Sequence, residues 1–186
     1  MAKSEMDQDI LRVLYSEEDI RRRVQELGDR IYDDFRGRNP LFVGVLKGCF
    51  LFMADLIRAC PLKSEIEFIA CSSYGNAQAS SGNVQITRDL GQDITGRDLI
   101  VVEDILDSGN TLYFLKQYFM AKGAKSVTIV TLFDKPERRE KPIYADYVGF
   151  DVPNEFVVGY GLDFAQQYRN LPYVGVMKPE MYANLD

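Results

Sequence analysis

Apolar and polar positions along this chain switch repeatedly between helical and strand spacing. Ile20, Val24, Leu27 and Ile31 recur every three to four positions to about Phe35, and Ser16 followed by Glu17, Glu18 and Asp19 gives the start signal for that helix. The run LFVGVL at 41–46 is near-continuously apolar and predicts a buried strand; Lys47-Gly48 breaks it, and 50–59 reads as a short helix. Ile66, Phe68 and Ala70 alternate with Glu65, Glu67 and Ile69 as a strand that leads into a Ser/Gly/Asn-rich stretch, 72–83, expected to be a mobile loop. Val84 and Ile86 alternate with polar neighbours on its far side. LIVVE at 99–103 is expected to be the central strand. A helix over 111–122 turns Leu112, Leu115 and Phe119 inward and stops at Gly123, and 126–133 is another buried strand. YVGF, FVVGY and YVGVM then give short strands interrupted by Pro and Gly.

This alternation predicts an α/β fold, a mainly parallel twisted sheet flanked by helices. The short C-terminal strands are expected to form a small hood at about 154–186, with N-terminal residues contributing. At 186 residues and 46% hydrophobic composition, the chain has material for one sizeable core, so 1–186 is expected to be a single domain.

Charge and missing residue types narrow the chemistry. With 22 basic and 28 acidic residues the net charge is −6, which disfavours nucleic acid as a partner. Cys49, Cys60 and Cys71 form no C-x-x-C pair, and the absence of histidine removes a zinc site of Cys and His as well as every Ser-His or Cys-His nucleophile scheme. Core filling in a reducing cytosol is their expected role. No signal-like N-terminus and no apolar run near the ~20 residues that span a bilayer are visible, so a soluble cytoplasmic protein away from membranes is expected.

The segment VVEDILDSGNTL (101–112) carries the most chemistry. An apolar strand ends in two carboxylates, Glu103 and Asp104, and passes through a small-residue turn with a third, Asp107, into a helix. Ser108, Gly109, Asn110 and Thr111 leave main-chain N–H groups free for a dianion beside the positive end of the helix. Carboxylates beside a phosphate suit sugar hydroxyls or a hard cation such as Mg²⁺. A lone acidic pair after a strand is more often a solvated turn; an acidic start joined to a phosphate-friendly end is more specific. Neither G-x-x-x-x-G-K-[ST] nor G-x-G-x-x-G after a strand occurs, which argues against the commoner nucleotide loops.

The segment resembles the phosphoribosyl-pyrophosphate motif of the type I phosphoribosyltransferases, and further segments from about residue 9 to 181 resemble their 6-oxopurine branch. GVLKG (44–48) is similar to the pyrophosphate loop, SSYGNAQASSG (72–82) to the closing loop, and DK (134–135) with NEFVVGYGLDF (154–164) to the purine pocket. Cys49 departs from the smaller residue expected after Gly48, as do Gln78-Ala79 from the usual Thr or Ser of the closing loop.

The resemblance implies the type I fold and transfer of the phosphoribosyl group from phosphoribosyl pyrophosphate to a 6-oxopurine nitrogen. It implies that Glu103 and Asp104 hold the ribose hydroxyls directly and through Mg²⁺, and that Ser108, Gly109, Asn110 and Thr111 hold the 5-phosphate. Lys47, Gly48 and Arg169 take pyrophosphate, with a cis peptide common at the Lys47 turn. Asp107 acts as general base toward the purine N7. Lys135 donates to O6, Phe156 stacks, Val157 presents its backbone, and Asp163 lies near a second metal and the purine 2-position. Ser73 and Tyr74 close over the reacting centre. A homodimer or homotetramer is implied as well. The rivals are a xanthine-guanine enzyme, an RNA-binding regulator that keeps the site as a sensor, and a catalytically dead scaffold; the order of preference among hypoxanthine, guanine and xanthine stays open.

Overall fold

The computed structural model describes residues 5–73 and 84–183. In chain order the elements are β1 (Ile10–Tyr15), α1 (Glu17–Phe35), β2 (Leu41–Leu46), α2 (Phe50–Ala59), β3 (Glu65–Ser73), β4 (Val84–Arg88), β5 (Asp98–Leu106), α3 (Asn110–Ala121), β6 (Ser126–Asp134), β7 (Tyr147–Asp151), β8 (Val157–Val158) and β9 (Val174–Met177), with short 3-10 turns at Glu5–Asp9, Pro136–Arg138 and Pro179–Met181. The main sheet runs β4-β3-β2-β5-β6-β7, parallel throughout except for β4, which returns antiparallel to β3. A three-stranded antiparallel sheet, β1-β9-β8, forms the hood.

Strand parity assigns the core to two sides. Because successive side chains point to opposite faces, Phe42, Ile100, Val102, Val130 and Leu132 pack against α1 and α2, whereas Leu41, Val43, Val45, Leu99, Val101 and Ile129 pack against α3. Both faces are covered, which is why β2 and β5 read as unbroken apolar runs. The start of α1 is held by a reciprocal cap: the Asp19 N–H donates to Ser16 Oγ at 3.1 Å, and the Ser16 N–H to Asp19 Oδ2 at 3.2 Å.

The structure adds detail at four places. YVGF, expected only as a short strand, is the parallel edge strand β7 of the main sheet; Gly149 permits it, since a Cβ there would stand 2.4 Å from Leu132 O on the neighbouring strand. FVVGY yields only the two-residue β8, because Gly159 (φ 106°) and Tyr160 (φ 47°) turn the chain away. Residues 10–15, to which no element was assigned, form β1 along β9, and Leu11 and Val13 are exposed, so no buried alternation marks the strand. The central strand continues past its acids, with Ile105 and Leu106 still in register with Phe133 and Asp134. Of the expected loop 72–83, Ser72 and Ser73 end β3; Tyr74 and residues 75–83 lie outside the described residues. Among the described residues no helix is long and apolar enough to cross a membrane.

At the amino end of β5, Asp98 accepts from Arg38 Nη2 and Ser126 Oγ, both at 2.6 Å, and from Lys125 Nζ at 3.3 Å. Burial alone would raise its pKa, but these donors prevail and hold it at about 2. The folded value lies below the unfolded one of about 3.9, so the stabilisation is complete above about pH 4 and fades as pH falls toward 2. Asp98→Asn is therefore expected to cost about 2 kcal/mol at pH 7. In denaturant titrations the gap from wild type should narrow between pH 4 and pH 2, and a constant gap contradicts the assignment.

Candidate active site

The strand order reverses direction at β2 and β5, since the chain proceeds from β2 outward to β3 and from β5 outward to β6 and β7. Open α/β sheets leave a crevice at the carboxyl ends of such a pair. Here that crevice receives Lys47-Gly48 from β2, residues 103–111 from β5 and α3, and Lys135 just after β6.

Glu103 and Asp104 are each only 8% exposed. Burial raises both pKa values; that of Glu103 rises well above the carboxylate range because the Asp104 charge and their mutual hydrogen bond add to burial. Asp104 rises less, being relieved by that hydrogen bond, by the Ile105 N–H at 2.9 Å and by the charge of Arg169. Two adjacent, desolvated, oxygen-only donors fit a hard cation, which would supply the positive charge that burial withholds. Among the described residues no three acidic, cysteine or histidine side chains converge as a metal cage. Asp163 pairs through Oδ1 with Arg169 Nη2 at 2.8 Å and accepts through Oδ2 from the Gln166 N–H at 2.9 Å.

Main-chain approaches at two glycines define the loop that follows β2. The Leu46–Lys47 peptide is cis. A Cβ on Gly48 would stand 1.7 Å from Asp104 Oδ2, and one on Gly161 (φ 101°) would stand 2.1 Å from Gly48 O. The loop is thus pressed between the acid pair and the hood. Lys47 Nζ donates to Gln166 Oε1 at 3.1 Å, and Arg169, which also donates to Gly161 O at 2.6 Å, reaches the same Gln166 oxygen at 3.5 Å. Gln166, at φ 68°, therefore joins the two predicted cations; GLDFAQQYR carries no local signal for such a bridge. Cys49 fills core space with no exposure, and burial raises its thiol pKa, as it does those of Cys60 and Cys71, both to about 11. None is a thiolate nucleophile at neutral pH.

Residues 103 and 105–112 line a cavity of about 200 Å³. The polarity of its loop follows from where the carbonyls go. Leu106 O accepts from the Lys135 N–H (2.9 Å) and Arg139 Nη2 (3.2 Å), Asp107 O from Arg139 Nε (3.0 Å), and Ser108 O from the N–H groups of Glu140 (2.9 Å) and Lys141 (3.2 Å). In a planar trans peptide the next N–H points opposite to the carbonyl. With three successive carbonyls bound by 135–141, the amides of Asp107, Ser108 and Gly109 face away from that segment, toward the cavity. Gly109 (φ 83°) precedes α3, and Ile143 Cγ2 lies 2.5 Å from where its Cβ would be. Asn110 donates through Nδ2 to Ser108 Oγ and Glu140 Oε2. Arg138 Nε is 3.0 Å from Asp107 Oδ1, an ion-pair distance without hydrogen-bond alignment, so this buried oxygen, like Asn110 Oδ1, retains an unfilled acceptor position.

Arg138 also borders a second cavity of about 330 Å³ that contains Lys135, Asn154, Phe156 and Tyr182. Lys135 is 6% exposed, donates to Glu155 O at 2.6 Å, and has its pKa lowered by burial. Two of its three protons remain free for a ligand. The Phe156 ring is stacked on Tyr182 (centroids 4.9 Å, 24°) and meets Phe164 edge-on. Val157 points into the core and does not line this cavity. Sequence reasoning missed Arg138, Arg139 and Tyr182; the RR pair at 138–139 was its available signal.

A sequence profile of the phosphoribosyl transferase domain matches residues 13–165. The chain is 52% identical, over 96% of its length and 99% of the relative's, to a hypoxanthine-guanine phosphoribosyltransferase of Streptococcus agalactiae. It is 53% identical over 96% of its length to the bifunctional protein TilS/HprT of Listeria monocytogenes, of which it spans only 28%. Its fold superposes on a crystal structure of a hypoxanthine phosphoribosyltransferase from Staphylococcus aureus with a TM-score of 0.96 at 45% identity, covering 99% of this chain and 100% of that one.

The glycine contacts generate a direct test of the site's architecture. Gly48→Ala is expected to lose about 2 kcal/mol or more, because a methyl group there must displace a buried carboxylate. Equilibrium unfolding indistinguishable from wild type contradicts the packing described.

Proposed function

The chain belongs to the phosphoribosyl transferase family, and from that premise we propose that it moves the 5-phosphoribosyl group from phosphoribosyl pyrophosphate to hypoxanthine and to guanine, releasing pyrophosphate. The products are inosine and guanosine monophosphate, and the reaction is one of purine salvage. The observation that supports this most strongly is the buried acid pair adjoining a loop whose carbonyls are bound on its outer side. An acid pair suits a diol, and inward amides suit a phosphate ester.

In this reading, Ser108 to Thr111 bind the 5-phosphate through main-chain N–H groups and the α3 dipole. Glu103 and Asp104 hold the ribose hydroxyls. They would also hold Mg²⁺, which would offset leaving-group charge. Lys47, the Gly48 backbone and Arg169 receive pyrophosphate, and Asp163, paired with Arg169, would lie near the second metal and the purine 2-position. Asp107, with an unfilled acceptor at Oδ1, accepts the purine N7 proton as N9 attacks and returns it to N7 in the reverse reaction. Lys135 donates to O6, Phe156 stacks on the ring, and the Val157 backbone reads its edge. Ser73 and Tyr74 would close the crevice and exclude water, which otherwise consumes the activated sugar.

The reading takes 1–186 as one catalytic domain, with both sheets contributing to one crevice. It places the enzyme in the cytoplasm, supported by three free cysteines, and assembles it as a homodimer or homotetramer. Nucleic acid and membranes are not its partners, consistent with the net charge of −6.

Purified protein with Mg²⁺ and phosphoribosyl pyrophosphate should convert hypoxanthine to inosine monophosphate and guanine to guanosine monophosphate, leaving adenine unreacted. Asp107→Asn should slow turnover at least about 100-fold while changing donor affinity much less. No nucleotide from either base overturns the proposal, and an unimpaired Asp107→Asn removes Asp107 from the mechanism.

A further inference from the structure

Arg139 makes no contact that the reaction above assigns, yet its guanidinium is engaged on every side. Its side chain is 11% exposed. Nε donates to Asp107 O at 3.0 Å, Nη2 to Leu106 O at 3.2 Å and to the Asp134 carboxylate, and Nη1 to Ile143 O at 2.8 Å. One rigid plane thereby fixes two consecutive carbonyls of the phosphate loop, and it ties both to the segment whose Ile143 side chain crowds Gly109. Its neighbour Arg138 is different: 54% exposed, it faces the Asp107 carboxylate and borders the purine-side cavity.

We infer that Arg139 is the positioning residue for the 5-phosphate grip, a role that rests on the phosphoribosyl-transfer reading. By holding the carbonyls of Leu106 and Asp107 outward, it turns the N–H groups of Asp107 and Ser108 toward the cavity before any ligand arrives. It also fixes the main chain of the residue assigned as general base. Arg139 borders the phosphate loop but not the purine-side cavity, so its influence falls on the donor substrate rather than on the base. Lysine cannot replace it, because a single ammonium lacks the planar fork that spans Asp134 and three separate carbonyls.

The test is steady-state kinetics on wild type, Arg139→Lys, Asp134→Asn and Arg38→Lys. The last cuts a partly buried ion pair at the opposite end of β5 and stands for a loss of stability alone. Arg139→Lys is expected to raise the KM for phosphoribosyl pyrophosphate about tenfold, the equivalent of one or two lost hydrogen bonds, while the KM for hypoxanthine stays within about twofold. Asp134→Asn, which frees the guanidinium from its anchor, should give a smaller change with the same split; it decides the matter if Arg139→Lys does not fold. Arg38→Lys should lower the melting temperature without moving either KM. An unchanged donor KM, equal rises in both KM values, or the same split in Arg38→Lys each overturns the inference. A wild type that makes no nucleotide fails at the earlier step and refutes the functional reading itself, taking this inference with it.

Discussion

Two carboxyl groups side by side near the end of the central strand set the terms for everything around them. Glu103 and Asp104 lie within a sheet covered on both faces, where an ionised and unpaired carboxylate costs several kcal/mol. The protein answers with close packing. Asp104 bears on Gly48, Gly48 bears on Gly161, and Arg169 contributes charge from the hood. The Lys47-Gly48 loop, the acid pair and the hood therefore form one stack whose spacing requires glycine. Their raised pKa values mark a site whose missing positive charge a ligand-borne cation can supply.

Beside the acids, the cavity of the loop entering α3 is lined, among the described residues, without a cationic side chain. In a chain of net charge −6, the cavity at 105–112 offers inward amides and a helix start. That arrangement is itself dependent on tertiary structure: the outward carbonyls are bound by the Lys135, Glu140 and Lys141 amides and by Arg139. The same segment begins with Lys135 in the second cavity, so the 135–143 stretch links the two cavities of the crevice. Arg138 continues the link by facing Asp107.

Legibility in the sequence followed the range of the interaction. The acid pair, the small-residue loop at 108–111 and the Ser16 cap are local patterns, and the two-faced apolar runs of β2 and β5 announced a covered parallel sheet. The bridge through Gln166, the stacking of Tyr182 on Phe156 and the contact of Gly161 with Gly48 join residues far apart in the chain, and no spacing rule encodes them. β1 escaped notice because Leu11 and Val13 face outward, which erases the alternation that reveals a half-buried strand. YVGF reads only as a short strand broken by glycine, and that glycine is what lets it lie against β6. The family resemblance implies a metal-side position for Asp163; its contacts with Arg169 and the Gln166 amide are a tertiary feature that no local pattern announces.

The most direct test of the account is a crystal structure of the protein with inosine monophosphate bound. The phosphate oxygens should lie about 3 Å from main-chain N–H groups between residues 107 and 111, with the ribose 2′ and 3′ hydroxyls at Glu103 and Asp104 and the base against Phe156. A nucleotide whose phosphate binds away from that loop, or whose ribose leaves the acid pair untouched, contradicts it.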